Sequence, residues 1–142
     1  MQAHTNESEI ISLEDRLRIE ALRDPVVEAV GHLPGSAYCR RYYLPILGPS
    51  SLLCAELLVE WLAGQPDGYD VEVAFLGAAL GLPGKGGRSP SIARTLDRLT
   101  RFGLARHHPD HSLYRVRLAW PPLTRRQLAH LPPPLAILHP AN

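Results

Sequence analysis

Residues 89–106 read Ser-Pro-Ser-Ile-Ala-Arg-Thr-Leu-Asp-Arg-Leu-Thr-Arg-Phe-Gly-Leu-Ala-Arg, and their spacing governs how the rest of the 142-residue chain is read. Ser89-Pro90 is a helix start, a capping hydroxyl followed by proline where its missing N–H costs nothing. Ile92, Leu96 and Leu99 make one apolar stripe that ends at Phe102 or Gly103, and Gly103 supplies a left-handed stop. The other side carries Arg94, Arg98 and Arg101 at i, i+4 and i+7, with Ser91 and Thr95 beside them. A helix anchored by one face and offering donors on the other is what reading a DNA major groove requires. On this reading Ser89, Ser91, Arg94 and Thr95, near the helix start, reach bases. Arg98 and Arg101 contact phosphate, and Asp97 orients Arg94.

Two short alternating runs follow, Leu104 to His107 and Leu113 to Leu118, separated by His108-Pro109-Asp110-His111-Ser112, which has the length and composition of a hairpin loop. Arg106, Arg115 and Arg117 give this hairpin a basic character, and Arg115 and Arg117 share one strand face. Upstream, Lys85 and Arg88 sit in a Gly-rich loop placed to hold phosphate at the helix N-terminus. Before that loop, Ala74 to Gly81 reads as a short helix and Tyr69 to Val73 as an alternating run. Ser50 to Ala63 reads as a helix capped by Ser50 or Ser51 and stopped by Gly64 and Pro66.

The first 49 residues read as an N-terminal helical extension. Ser12 to Leu22 is expected to be helical from the spacing of Leu13, Leu17 and Ala21, with a Ser12 cap. Asp24-Pro25 opens a second short helix to Val30. Tyr38, Tyr42 and Tyr43, interleaved with Arg40 and Arg41, suit either base stacking or packing in a core or dimer interface, and packing is favoured. Residues 119–142 read as a Pro-rich C-terminal arm. The expected fold class is therefore mainly α with a small β-hairpin (α+β), its organised part spanning 50–118.

The order helix, helix, helix, hairpin is that of a winged helix-turn-helix. The stretch from Arg94 to Arg106, with its Phe102-Gly103-Leu104 step, resembles the third helix of winged-helix regulators where it turns into the wing. The chain also resembles a group of actinobacterial winged-helix proteins with similar Leu44-Pro45-Ile46-Leu47-Gly48-Pro49 and Pro121-Pro122-Leu123-Thr124-Arg125-Arg126-Gln127-Leu128 stretches, from which no activity carries over. The resemblance implies a winged-helix fold, with double-stranded DNA or a protein as partner.

Charge supports a polyanion. Residues 1–72 hold twelve acidic and five basic residues, a balance of −7, whereas 73–142 hold two acidic and ten basic, a balance of +8. Such asymmetry points either to a polyanion-facing C-terminal half or to acidic–basic pairing within the chain. The Gly81 to Ser89 run fails the phosphate-loop spacing, having Ala79 and Gly86 where a glycine and a hydroxyl are needed. His107, His108, His111 and Asp110 cluster without a defined ligand set, so no metal is expected, and near DNA these histidines would strengthen binding as pH falls towards 6. Glu56 and Glu60 share a helix face and read as solvent-facing acids. No nucleophile–base pattern is present, so an enzyme is not expected.

The two cysteines, Cys39 and Cys54, are too few for a disulfide framework and suggest a reduced, cytoplasmic setting. No targeting or membrane segment is read. The favoured function is sequence-specific double-stranded DNA binding, as a transcriptional regulator with no cofactor and no small-molecule ligand, dimerising through residues 1–49. The alternative is a winged-helix protein–protein interaction module or a DNA-replication accessory.

Overall fold

The computed structural model describes residues 15–83 and 90–140. Among them are seven α-helices and one mixed four-stranded sheet, an α+β arrangement. In chain order the elements are β1 (Arg16–Leu22), α1 (Pro25–Val30), a π-helical turn (Cys39–Tyr43), α2 (Leu44–Leu47), α3 (Pro49–Gly64), β2 (Tyr69–Glu72) and α4 (Val73–Ala79). After these come α5 (Pro90–Arg101), β3 (Ala105–His108), β4 (Leu113–Arg117), α6 (Arg125–Leu128) and α7 (Pro133–Leu138).

The sheet order is β2-β1-β4-β3. β1 runs antiparallel to β2, with Arg16 opposite Glu72 and Arg18 opposite Asp70. It runs parallel to β4, with Glu20 opposite Arg115 and Leu22 opposite Arg117. Residues 16–22 thus lie in the middle of the sheet, and the helix expected over 12–22 is a strand instead. The reason is a period of two: Leu17 and Ile19 are both wholly buried, whereas a helix would turn them to opposite sides. The Ser12 cap of that expected helix lies outside the described residues.

α1 starts as the sequence predicts, with Pro25 in its first turn and the Asp24 carboxylate accepting from the Val27 N–H. α3 is apolar nearly all round and forms the centre of the helical layer. Its cap is Gly48 at φ 91°, with Pro49 in the first turn, rather than Ser50 or Ser51. Ser51 is buried, and its hydroxyl donates to the Thr95 carbonyl, linking α3 to α5. Gly68, at φ 105°, makes the turn into β2; a Cβ there would sit 2.7 Å from the Ile19 carbonyl oxygen, so only glycine fits. α5 buries Ile92, Leu96 and Leu99 and stops at Gly103, φ 72°.

The core lies between the sheet and the helices: Leu17, Ile19, Tyr114 and Val116 from the strands meet Leu58, Leu76, Leu96 and Leu99. Two buried tyrosines brace it. The Tyr69 hydroxyl donates to the Leu58 carbonyl at 3.0 Å, and that of Tyr114 to the Leu96 carbonyl at 2.7 Å.

The proline-rich tail packs back on the segment from His32 to Leu47. His32 and Trp120 form a β-bridge, Trp120 is wholly buried, and the Tyr43 hydroxyl donates to the Pro121 carbonyl at 2.6 Å. The Tyr42 hydroxyl donates to the Leu138 carbonyl. Tyr38 stacks on His32 with ring centres 3.7 Å apart and meets His139 edge-on. With Tyr42 and Tyr43 buried in this way, base stacking by the tyrosine cluster is excluded.

Candidate nucleic-acid interface

α5 is held from three sides. Its apolar stripe sits in the core, Ser51 bonds its backbone from α3, and Tyr114 bonds it from the hairpin. The side turned away from the core carries Arg94, Arg98 and Arg101, all exposed, with Ser91 half-buried near the helix start. Arg98 reaches the C-terminal carbonyl of α2 at Leu47, 3.2 Å away, and so lies along the α2–α3 junction. Arg101 pairs with Asp97 at 2.7 Å. Asp97 therefore orients Arg101, one turn on, rather than Arg94. Arg94 is left with its guanidinium in solvent, available to a phosphate or a guanine edge.

Thr95 is a correction to the sequence reading. It is 4 % exposed, its hydroxyl donates to the Ser91 carbonyl at 2.8 Å, and Ser50 lies 3.4 Å from the same oxygen. A hydroxyl spent inside the helix packing has no donor left for a base. Lys85, Arg88 and Ser89, the expected phosphate loop and cap, lie outside the described residues.

The hairpin arginines divide. Arg106 on β3 is exposed. Arg115 lies 3.6 Å from Glu20 across the β1–β4 pairing, a long, solvent-exposed pair. Arg117 is the more confined: its side chain is 20 % exposed, it pairs with Asp24 at 2.9 Å, and its Nε–H donates to the Gly103 carbonyl at 2.8 Å. It caps the α5–β3 turn and ties it to the start of α1. The Arg117 bond holds the Asp24 carboxyl below the usual carboxylate range, helped by the Val27 N–H. Arg117 is thus tied into the fold by Asp24 and Gly103, partners that the sequence reading of it as a phosphate contact does not include. The missed residues are Glu20 and Asp24, which bring negative charge from the acidic half to the back of the basic hairpin.

The histidines also separate. His107 faces inward beside Tyr114, ring centres 6.1 Å apart, and burial and the neighbouring His108 lower its pKa. His111 is exposed at the hairpin turn. Among the described residues no group of three or more His, Cys, Asp or Glu side chains is placed to hold a metal ion. Burial pushes the Cys39 thiol up to about 11 and the Cys54 thiol up to about 12, so neither is a thiolate at neutral pH. No helix among the described residues is long and apolar enough to cross a membrane.

What remains is a helix presenting Arg94, Arg98 and Arg101, with Arg106 exposed on β3 opposite Arg115. Such an arrangement sets three guanidinium groups, each a multiple hydrogen-bond donor, along one exposed helix face. Comparison with protein-family models, with curated proteins and with solved structures gave no match.

Proposed function

We propose that the chain is a winged-helix protein that binds double-stranded DNA through α5 and acts as a transcriptional regulator. The observation that carries this reading is the exposed arginine row of α5, Arg94, Arg98 and Arg101, on a helix whose opposite face is locked into the core. The element order from α3 through β2, α4, α5 and the β3–β4 hairpin supports the winged-helix assignment. In this reading α5 enters the major groove, Arg94 and Ser91 face base edges, and Arg98, Arg101 and Arg106 hold phosphates. Arg115 adds a weaker, Glu20-screened charge. One recognition helix buries little surface, and a homodimer through the exposed Val26, Val30 and Leu33 would double it.

The test is binding to mixed genomic duplex fragments across a salt series, with the Arg94→Ala/Arg98→Ala double variant alongside. A DNA reader with about four to five phosphate contacts gives a log–log slope of about −4. The double variant lowers the magnitude of that slope by about 1, through Arg98, and relaxes base preference, through Arg94. Absence of binding at about 50 mM salt overturns the proposal.

A second reading, a winged-helix module that docks on an acidic protein, is favoured by the ion pairs of Arg115 and Arg117 with Glu20 and Asp24. They show that acidic groups already satisfy part of the basic half within the chain.

A further inference from the structure

A groove of about 470 Å³ runs beside β2, at the opposite sheet edge from β3. Its floor is aromatic. Trp61 of α3 stacks on Phe75 of α4, ring centres 5.9 Å apart and 27° between planes, and meets Tyr69 edge-on. Phe75 is 57 % exposed, an unusual position for a large apolar ring that already has a stacking partner. The charged residues lining the groove, Asp70 and Glu72, are both acidic.

The backbone adds a second element. Val73 donates its N–H to the Asp15 carbonyl at 2.9 Å, so Val73, Val71 and Tyr69 are the residues of this ladder that turn their backbone groups to β1. The alternation leaves the N–H and C=O of Asp70 and the N–H of Glu72 pointing away from β1, along the sheet edge, while the Glu72 C=O, at the N-cap of α4, opens that helix. A strand laid there would gain main-chain hydrogen bonds and present its side chains alternately to the two faces. One set would meet Trp61 and Phe75; the other would lie beside the Asp70 and Glu72 carboxylates. Those carboxylates have only distant, exposed partners, Arg18 and Arg16, each at 3.6 Å. Such pairs are weak and leave the acids open to a better-placed cation.

We propose that the β2 edge and its aromatic groove form a docking site for an extended peptide of a partner protein in which apolar residues alternate with arginine or lysine. The charge of the lining selects a cationic partner, and the aromatic pair selects a peptide that carries apolar groups as well. The site lies apart from the α5 arginines, so it stands or falls independently of DNA binding.

The full chain has two tryptophans, Trp61 in the groove and Trp120 wholly buried, so a change in indole emission on titration reports Trp61. The probe is a capped heptapeptide of alternating valine and arginine, compared with an alternating valine–glutamate peptide and an all-arginine peptide. The proposal expects saturable emission change with the first peptide alone. It expects about five- to tenfold weaker binding for Asp70→Asn/Glu72→Gln, and a loss of similar size for Phe75→Ala. Both sets of positions are solvent-exposed, and circular dichroism checks that the variants fold. Proline at alternate positions of the peptide removes the donors for the β2 edge and abolishes binding if a strand is added. Equal binding of the all-arginine peptide, or indifference to Phe75→Ala and to proline, reduces the site to non-specific charge attraction and overturns the proposal. No emission change overturns it too. Self-association seen by sedimentation and abolished by Asp70→Asn/Glu72→Gln would assign the groove to a second copy of the chain and overturn the peptide assignment.

Discussion

The Tyr114 hydroxyl, wholly buried in β4, donates a 2.7 Å hydrogen bond to the Leu96 carbonyl in the middle of α5. This contact, with the core packing around it, ties the hairpin to the helix that presents the arginine row, and it lies on the buried side of that helix. Removing it separates stability from charge. Tyr114→Phe keeps the ring and its packing but leaves an acceptor less well satisfied, costing about 1 kcal/mol. Thermal denaturation should show a drop of about 4 °C. The salt slope of DNA binding should be unchanged, since no phosphate contact is lost.

The Asp24–Arg117 pair gives a complementary prediction. Arg117 joins the α5–β3 turn to the start of α1. Arg117→Gln and Asp24→Asn should each lower the melting temperature, and the double variant should lower it by less than their sum, because the two side chains serve one interaction. The Asp24 carboxyl titrates below its ordinary 3.8. Its contribution is therefore complete above that value and is lost as pH falls through the lower folded value. Asp24→Asn should flatten that acid limb of the stability curve while preserving the α1 cap. Neither variant should change the salt slope, whereas Arg98→Ala should lower its magnitude by about 1.

Thr95→Val distinguishes a base reader from a packing residue. The hydroxyl donates inward to Ser91, so its removal should cost about 1 kcal/mol of stability and leave DNA affinity per folded molecule unaltered. A loss of tenfold or more in affinity, measured by fluorescence anisotropy on protein shown to be folded, would return Thr95 to the interface.

Much of this architecture is written in local spacing. The Ile92–Leu96–Leu99 stripe with its glycine stop marks α5, and the two short runs around Pro109 mark the hairpin, because both signals lie within about one element's length. β1 is different. Leu13, Leu17 and Ala21 fit a helical spacing while Leu17 and Ile19 fit a strand, and the decision comes from β2 and β4, some fifty and ninety-five residues away in the chain. The state of the arginines is non-local for the same reason. Nothing near Arg117 in sequence announces Asp24, 93 residues earlier. Thr95 was legible in principle, since it lies one position from Leu96 and four from Leu99, at the border of the buried stripe. The groove at Trp61 and Phe75 had no local mark, because it forms only where the ends of α3 and α4 meet the β2 edge.

The tail contact predicts a pH dependence. Tyr38 receives the Leu123 N–H on its hydroxyl oxygen at 3.0 Å, and that hydroxyl lies 2.6 Å from Nε2 of His139. The hydroxyl proton is then free to go to His139, which accepts it only when Nε2 is unprotonated. His32 stacks on the other side of the Tyr38 ring. Burial lowers the pKa of His139; burial first, and then His139, lowers that of His32. Burial and the adjacent His108 do the same to His107 in the hairpin. All three histidines are therefore favoured neutral in the fold. A base whose folded pKa lies below its unfolded value of 6.5 stabilises fully above that value, and the stabilisation is lost as pH falls through the folded pKa. Melting temperature should thus decline below about pH 6.5, with tail release read as a red shift of Trp120 emission. His139→Gln, which keeps a hydrogen-bonding amide and cannot be protonated, should reduce that decline. A melting temperature that is flat between pH 7.5 and pH 5 in the native chain would show that the histidine–tyrosine stack does not couple the tail to protons.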